Sequence, residues 1–242
     1  MRRLVLLSVV ALGLIAPAAA VAAERTVSVT ATVERQVPND AAQVHFSVSK
    51  ERPGRGAALH VVALRVKAVI AAAQGVGGVG AGDVTTGSIS VRRVEKGKRP
   101  VYRASEGVTV VTHQPAEAGR LVAAGVAAGA TGTRGPSFFV GDREAAYDAA
   151  LVEALEKAKT KAGMLARAAA ATLGPAITIA EAGGVTPFNP ASAAEPVTKC
   201  TPAAGSHGVS RPGAAASACA APPVKPGRST VSATVDATFA LE

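Results

Sequence analysis

Six basic residues lie close together in one segment of this 242-residue chain. They are Arg92, Arg93, Lys96, Lys98, Arg99 and Arg103. Because lysine and arginine side chains bind phosphate groups, the segment is a candidate site for anionic lipid head groups, cell-wall polymer or nucleic acid. Nucleic acid is the least favoured ligand, since such surfaces usually add aromatic residues for base stacking and only Tyr102 is present here. The alternative is a solvated basic turn between two strands.

No other group of residues has the spacing of a known catalytic or cofactor site. The four histidines, His45, His60, His113 and His207, share no ligand spacing, so no metal site is predicted. Residues 75–80 match the G-x-G-x-x-G pattern, but they follow a predicted helix, whereas a nucleotide-binding loop follows a strand and opens a helix. No serine lies in a G-x-S-x-G turn. We therefore expect no enzyme activity and no cofactor, with a hydrolase of unrecognised site as the alternative.

The N-terminus has the features of a signal peptide. Arg2 and Arg3 precede an apolar run over residues 4–15, and small residues then lead to Ala22 and Ala23. This order is typical of export, so we expect cleavage near Ala22 or Ala23 and a periplasmic or secreted location. A retained transmembrane anchor is the alternative, because the segment is just long enough to cross a bilayer. No membrane span is predicted after cleavage.

The chain has two cysteines, Cys200 and Cys219. An even number of cysteines in an exported protein favours a disulfide. A redox-active pair is the alternative, but the spacing is not that of a C-x-x-C motif. On the chain-entropy model, a bridge across this loop would stabilise the fold by at most about 3 kcal/mol. We predict that Cys200 and Cys219 are bridged.

The composition predicts a core of small side chains. Hydrophobic residues make up 48% of the chain, whereas aromatic residues are 3% and tryptophan is absent. Much of the hydrophobic fraction is alanine and valine, so helices can approach sheets closely. The formal net charge is +9, but outside the segment described first the lysines and arginines are scattered.

Patterns of apolar residues divide the chain into strands and helices. Strands are predicted at 26–33, 43–49, 84–93, 101–112, 133–140, 176–180 and 230–241, and helices at 56–74, 115–128 and 142–173. The first two strands are expected to form one hairpin, and the two strands that flank the basic segment a second. This mixture favours an α+β fold with a largely antiparallel sheet and helices packed on it.

The strongest helix pattern lies at 142–173. Apolar residues recur in it at steps of three and four: Tyr147, Ala150, Leu151, Ala154, Leu155, Ala158, Ala162, Leu165 and Ala169. Asp142 is placed to cap the first turn, and Gly174 and Pro175 to end the helix. A helix this long, at about 1.5 Å per residue, needs a sheet or a second subunit packed along it.

Residues 184–227 differ from the rest of the chain. They contain more than half of the 15 prolines and show little apolar periodicity. Such a segment buries too little apolar surface to offset the loss of chain entropy on ordering. We predict a mobile surface loop.

Several segments, taken in order, resemble the SIMPL-domain family of exported bacterial proteins. They are Val27-Ser28-Val29, Val37-Pro38-Asn39-Asp40-Ala41-Ala42, Asp83-Val84-Thr85-Thr86-Gly87-Ser88-Ile89-Ser90, Tyr102-Arg103-Ala104-Ser105, Phe138-Phe139, and the alanine-rich helix with Ala158-Lys159 and Ala162 that leads to Leu173-Gly174. The resemblance covers about residues 25–182 and 228–241. It departs from the family pattern at Asn39, which interrupts the first turn, and at Thr30 and Thr32, where the family tends to have glycines.

The resemblance implies an organisation and a function class. The chain would consist of a signal peptide at 1–23 and one SIMPL-like domain at 24–242, with the proline-rich loop inside it. The family implies an α+β subunit in the periplasm or envelope, a tendency to homo-oligomers that are ring- or barrel-like in some members, and an association with oxidative-stress defence. It implies no established enzyme activity and supplies no catalytic residues.

Overall fold

The computed structural model describes residues 24–96, 99–184 and 221–242. The strands in these ranges are β1 Thr26–Pro38, β2 Ala41–Arg52, β3 Val84–Thr86, β4 Ser90–Lys96, β5 Arg99–Thr112, β6 Gly132–Phe139, β7 Leu173–Glu181 and β8 Arg228–Leu241. The helices are α1 Arg55–Gln74, α2 Ala118–Ala127 and α3 Arg143–Ala168. This order of elements confirms the predicted α+β class.

The described strands form two antiparallel sheets. Sheet A has the strand order β1-β8-β7, and sheet B has the order β3-β5-β2-β6 with β4 also paired to β5. The predicted first hairpin is wrong, because β1 pairs with β8 along its whole length and β2 pairs with β5 and β6. Alternation of apolar residues shows which face of a strand is buried. It does not show which strand lies next to it.

The turn between β1 and β2 carries the chain from sheet A into sheet B. The Asn39 backbone N–H donates to the Gly227 carbonyl at 3.2 Å, and its side-chain amide donates to the Pro226 carbonyl at 2.6 Å. Asp40 Oδ1 accepts from the Gly141 N–H at 2.6 Å. Because these bonds join distant segments, the polar residues that suggested a hairpin turn instead hold a crossing between two sheets.

Helix α3 packs across β1 and β8 of sheet A. Its buried residues are Tyr147, Ala150, Ala154, Ala158, Ala162 and Ala166. They contact a layer of strand side chains that includes Val29, Val235 and Phe239. Alanine adds little bulk, so the helix lies close to these larger side chains. The opposite face of the sheet is polar, with the hydroxyls of Thr32 and Thr234 hydrogen-bonded across the strands at 2.9 Å.

The start of α3 is as predicted, with Asp142 Oδ1 accepting from the Ala145 N–H at 2.9 Å. Such a cap stabilises a helix by about 1 kcal/mol. The predicted end is wrong, because the helix stops at Ala168 and β7 already begins at Leu173. Ala170 has a φ of 50°, which takes the chain out of the helix. The run of alanines at this point contains neither glycine nor proline, so no stop signal precedes Gly174.

Sheet B is covered on one face by α1 and α2. The buried core between them consists of Val44, Phe46, Val48, Ala58, Val62, Val66, Val69, Ala73, Ala104, Val108, Val110, Leu121 and Val122. Gly125 of α2 lies directly over Phe46. A Cβ at Gly125 would fall 2.3 Å from Phe46 Cε1, so only glycine lets the helix approach the ring this closely.

The remaining predicted elements are largely confirmed. The single strand predicted at 84–93 is wrong, because residues 87–89 separate it into β3 and β4. Strands β4 and β5 form the predicted second hairpin, and β3 pairs separately with β5. The predicted helix at 115–128 begins as a 3₁₀ turn, Pro115–Glu117, before α2. Gly75 ends α1, so the glycine-rich segment at 75–80 follows a helix, as expected from its context.

Two predicted segments lie partly or wholly outside the described residues. The signal peptide at 1–23 is outside them, as are Lys98 of the basic segment, Cys200, Cys219 and most of the predicted mobile loop at 184–227. Those assignments stay predictions.

Candidate functional site

The basic segment folds as the β4–β5 hairpin at one end of sheet B. Cross-strand pairing places Arg92 opposite Arg103, Val94 opposite Val101 and Lys96 opposite Arg99. Directly opposed residues share a face of the sheet, and every second residue along a strand returns to that face. Register positions 92, 96, 99 and 103 therefore belong to one face of the hairpin, which we call the basic face.

Arg93 belongs to the opposite face. It is paired with Tyr102, and the neighbouring pair on the same face is Val91 with the fully buried Ala104. Val91 and Tyr102 pack against the core beneath α1. Arg93 forms an exposed ion pair with Glu95 at 3.4 Å. The structure thus separates Arg93 from the other arginines of the predicted patch and directs Tyr102 away from the basic face.

The arginines of the basic face differ in their partners. Arg103 Nε donates to Glu51 Oε1 at 2.9 Å, and a second guanidinium nitrogen contacts the same oxygen. Arg92 and Arg99 are exposed and form no ion pair within the described ranges. Arg92 also stands directly opposite Arg103, an arrangement of like charges that destabilises a strand pair unless a counter-charge is near. Glu51 provides one such counter-charge.

The basic face continues into the uncovered face of sheet B. His45 is paired with Thr109 on one side and with the exposed Arg134 on the other. His45 Nδ1 lies 3.1 Å from Thr109 Oγ1. The imidazole lies over Gly107, where a Cβ would fall 2.9 Å from His45 Cε1. Glycine at this position therefore leaves room for the imidazole.

Sequence reasoning missed Arg134 as a member of this surface. Arg134 is 31 residues from Arg103 along the chain, and only the pairing of β6 with β2 brings it to the same face. The alternation of Val44, Phe46 and Val48 in the sequence indicates that His45 lies on the polar face of β2, but no local signal gives the order of strands in a sheet. Knowledge of that order could have added Arg134 to the patch.

Chemically, the basic face presents guanidinium groups beside hydroxyls. The Ser90 and Ser105 hydroxyls lie 2.9 Å apart on this face, next to Arg92 and Arg103. A guanidinium can donate two parallel hydrogen bonds to a phosphate or carboxylate, and a hydroxyl can add a third. The arrangement is suited to binding an anion at an open surface.

A second polar arrangement joins the segment after α1 to the end of β5. Asp83 Oδ2 accepts from the Gly80 N–H at 2.7 Å, and Asp83 Oδ1 lies 3.1 Å from His113 Nε2. Two hydrogen bonds lower the pKa of Asp83 below its usual value, and the bond from the Gly80 N–H has a larger effect than the bond with His113. The pair closes the glycine-rich segment against the sheet, and we assign it a structural role.

The other predicted site residues are not brought together. His60 lies on the exposed side of α1, far along the chain from His113, and His207 is outside the described residues. Within the described ranges, no three His, Cys, Asp or Glu residues converge as metal ligands would.

An open groove on the C-terminal half of α3 is lined by residues that include Lys159, Arg167 and Leu173.

Among the described helices, α1 alone has the length and composition that would allow it to cross a membrane, with a mean hydropathy of 1.6. One face of α1 is buried against β5 and β2 of sheet B. Core helices of soluble proteins can meet the same criterion, so this finding concerns the apolar surface of α1 and does not establish a span.

Comparison with protein families gives one match over most of the chain. A family model described as "SIMPL: Protein of unknown function (DUF541)" matches residues 27–239. No curated protein matches the chain.

Proposed function

Because the chain belongs to the SIMPL family, we propose that it is an exported, non-catalytic protein that self-assembles and supports envelope or oxidative-stress tolerance. The export component rests on the basic, apolar and small-residue order of the N-terminus. The assembly component rests on the surface of α1. Stress tolerance is what the family resemblance implies.

The outward side of α1 is the observation that carries the assembly proposal. Ala58, Val62, Val66, Val69 and Ala73 bury one face of this helix. On the outward side Ala57, Leu64, Ala68 and Ala71 are exposed, and Leu64 is 57% exposed. Only 28% of the apolar stretch of α1 is buried. The outward side also carries the exposed His60 and Lys67 beside these apolar residues. An exposed apolar strip on a helix is normally covered, and a second copy of the chain can cover this one.

The test is the mass of the assembled protein. The full chain, exported and purified from its native compartment, is expected to elute as an oligomer by size exclusion coupled to light scattering. Leu64→Lys places a charge in the apolar surface and is expected to reduce the mass. Val152→Lys is the matched control, because Val152 is 66% exposed on the charged helix α3. A wild-type chain that is monomeric at every concentration would refute the assembly proposal.

The cellular role is tested in the source organism. A deletion strain is expected to lose survival under peroxide, and the wild-type gene to restore it. Restoration by Leu64→Lys at equal protein level would separate stress tolerance from assembly.

Mass spectrometry of the mature N-terminus tests export directly, since cleavage near Ala22 or Ala23 is expected and an intact N-terminus contradicts it.

The second candidate function is binding of an anionic envelope component. Its support is the basic face, where Arg92 and Arg99 lie exposed on one side of the hairpin without an ion pair among the described residues. Arg93, on the other face of the same hairpin, provides a matched control. Nucleic acid is not the proposed ligand, because the one nearby aromatic residue, Tyr102, packs on the core side.

Co-sedimentation with phosphatidylglycerol vesicles measures this binding. Replacing Arg92 by Ala is expected to weaken binding, and added salt to weaken it further, because phosphate contacts are screened. Replacing Arg93 by Ala is expected to have a smaller effect. Equal losses from both variants would point to general charge attraction and would contradict a defined face.

A further inference from the structure

The two outer strands of sheet A are protected differently. The outer edge of β1 faces two lysines of α3. Lys157 Nζ donates to the Thr32 carbonyl at 2.8 Å, and Lys161 Nζ donates to the Thr30 carbonyl at 3.1 Å. Lysines placed along an outer strand are a common protection against pairing with another chain, because they occupy edge carbonyls and add charge.

The other outer strand, β7, is open. Among the strands that the structure describes, it pairs with β8 alone, and its residues from Pro175 to Glu181 are exposed. Two large apolar side chains stand on it, with Ile177 47% and Ile179 55% exposed. Residues 173–180 carry no charged side chain, in a chain whose formal net charge is +9. Pro175, which has no N–H donor, and the register shifts between Leu173 and Thr178 lie in the first half of β7. The second half, which carries the exposed isoleucines, is therefore the part of the edge that is suited to strand pairing.

Opposite charges flank β7 on the side of the sheet that α3 covers. Glu181, at the end of the strand, accepts a hydrogen bond from the Tyr147 hydroxyl of α3 at 2.7 Å. Arg167, in the last turn of α3, lines the groove that also contains Leu173 at the start of the strand. Arg167 forms no ion pair within the described part of the chain. The two ends of β7 therefore carry charges of opposite sign.

We propose that two copies of this chain pair antiparallel through the outer edges of β7, joining their A sheets into one six-stranded sheet. The inference rests on the proposed self-assembly and names a surface for it that differs from α1. Antiparallel pairing centred near Ile177 and Ile179 brings Glu181 of each copy to the end of the partner's strand where Arg167 lies. Two complementary ion pairs then flank an apolar centre.

The protected edge of β1 determines how far the pairing extends. If β7 could pair with β1 of the next copy, sheet A would grow without limit. Lys157 and Lys161 oppose that contact, so β7 pairs with β7 about a twofold axis and the contact closes. Larger assemblies then require a second surface, such as the outward side of α1.

Charge exchange tests this surface. Arg167→Glu and Glu181→Arg are each expected to raise the dissociation constant of the pair about tenfold or more, and the double variant to recover most of the loss. Because Glu181→Arg also removes a hydrogen bond, Tyr147→Phe serves as its control and should leave the mass unchanged. Ile179→Lys is expected to separate the copies, whereas Val152→Lys should not. Mass photometry gives the readout.

A cross-link identifies the occupant of the edge. Thr178→Cys, made in the full chain with Cys200→Ser and Cys219→Ser, is expected to form a disulfide between two copies on mild oxidation. Cross-linking to another protein instead would mean that the edge has a different partner and would overturn the inference.

The outcomes separate the two proposals. A wild-type chain that is monomeric refutes self-assembly and the β7 contact together. A wild-type oligomer whose mass is unchanged by Ile179→Lys and by both charge variants refutes the β7 contact alone. An oligomer reduced to a smaller unit by Ile179→Lys, with recovery in the charge-exchanged double variant, supports it.

Discussion

Helices α3 and α1 each pack on one sheet, but their outward sides differ in charge. The outward side of α3 carries exposed charged residues that include Glu153, Glu156 and Lys159. On α1 the outward side is largely alanine and leucine, with Lys67 as its exposed cation. The outer side of α3 is therefore mainly charged, although Val152 and Met164 are 66% and 57% exposed, whereas the outer side of α1 is mainly apolar.

The buried sides of the two helices also differ. Helix α3 turns a stripe of alanines toward sheet A, and the strands supply the larger side chains. Helix α1 contributes valines to a core whose largest fully buried side chain is Phe46. The stability of sheet A therefore depends on the close approach of α3 to the strands, and the stability of sheet B depends on large side chains that fill its core. Substitutions that add or remove volume should affect the two differently.

The largest expected effect is at Phe46. Phe46→Ala removes the ring that fills the space beneath Gly125 and is expected to lower the free energy of unfolding by about 3–5 kcal/mol. Urea denaturation measures the loss. Ile89→Ala is the control, because Ile89 is 54% exposed and its truncation should have a small effect. A loss below about 1 kcal/mol at Phe46 would show that this core collapses readily and does not depend on filled volume.

A smaller effect is expected from adding volume on the alanine stripe. Ala158 is fully buried, so Ala158→Leu forces α3 away from sheet A and should lower the free energy of unfolding by about 1–3 kcal/mol. Ala149→Leu, at an exposed position on the outward side of the same helix, is the matched control, with an expected change within about 0.5 kcal/mol. Thermal and urea unfolding give both values. Equal losses at the two positions would contradict the dependence of sheet A on close approach of α3.

The smallest effect is expected at Asp83, and it depends on pH. Because folding lowers the pKa of Asp83, its ionised form stabilises the fold. This contribution is complete above a pH of about 4 and is lost as the pH falls through the lowered pKa. Asp83→Asn should therefore reduce the melting temperature at pH 7 and have less effect below pH 4. If the melting temperatures of the wild type and Asp83→Asn differed by the same amount at pH 7 and below pH 4, the charge of the carboxylate would be excluded as the cause.

Local patterns predicted most of the elements but not their neighbours. The alternation of Val27, Val29 and Val33 correctly indicated a half-buried strand, and the three-and-four spacing of Ala150, Ala154 and Ala158 the buried side of α3. The hairpin prediction for β1 failed because β1 pairs with residues near the other end of the chain. Leu165 was expected on the buried stripe but is 47% exposed, and Ala166 is buried in its place near the helix end.

The candidate site was predictable to a similar degree. A cluster of basic residues was visible in the sequence, and hairpin pairing was expected around it. The division of that cluster into two faces depends on the register, which pairs Arg92 with Arg103 and Arg93 with Tyr102. Arg134 joins the same surface only through the order of strands in sheet B, which is set by tertiary packing.

The pairing of β1 with β8 has a consequence for the order of folding. All strands and helices of sheet B lie between Ala41 and Phe139, so its contacts are available once that stretch has been synthesised. Sheet A has β8 as its central strand, and Thr26 pairs with Ala240. Closing so long a loop is slow, because chain entropy is lost before the contacts form. We expect sheet B to fold first, and β1 to remain unpaired until β8 is complete.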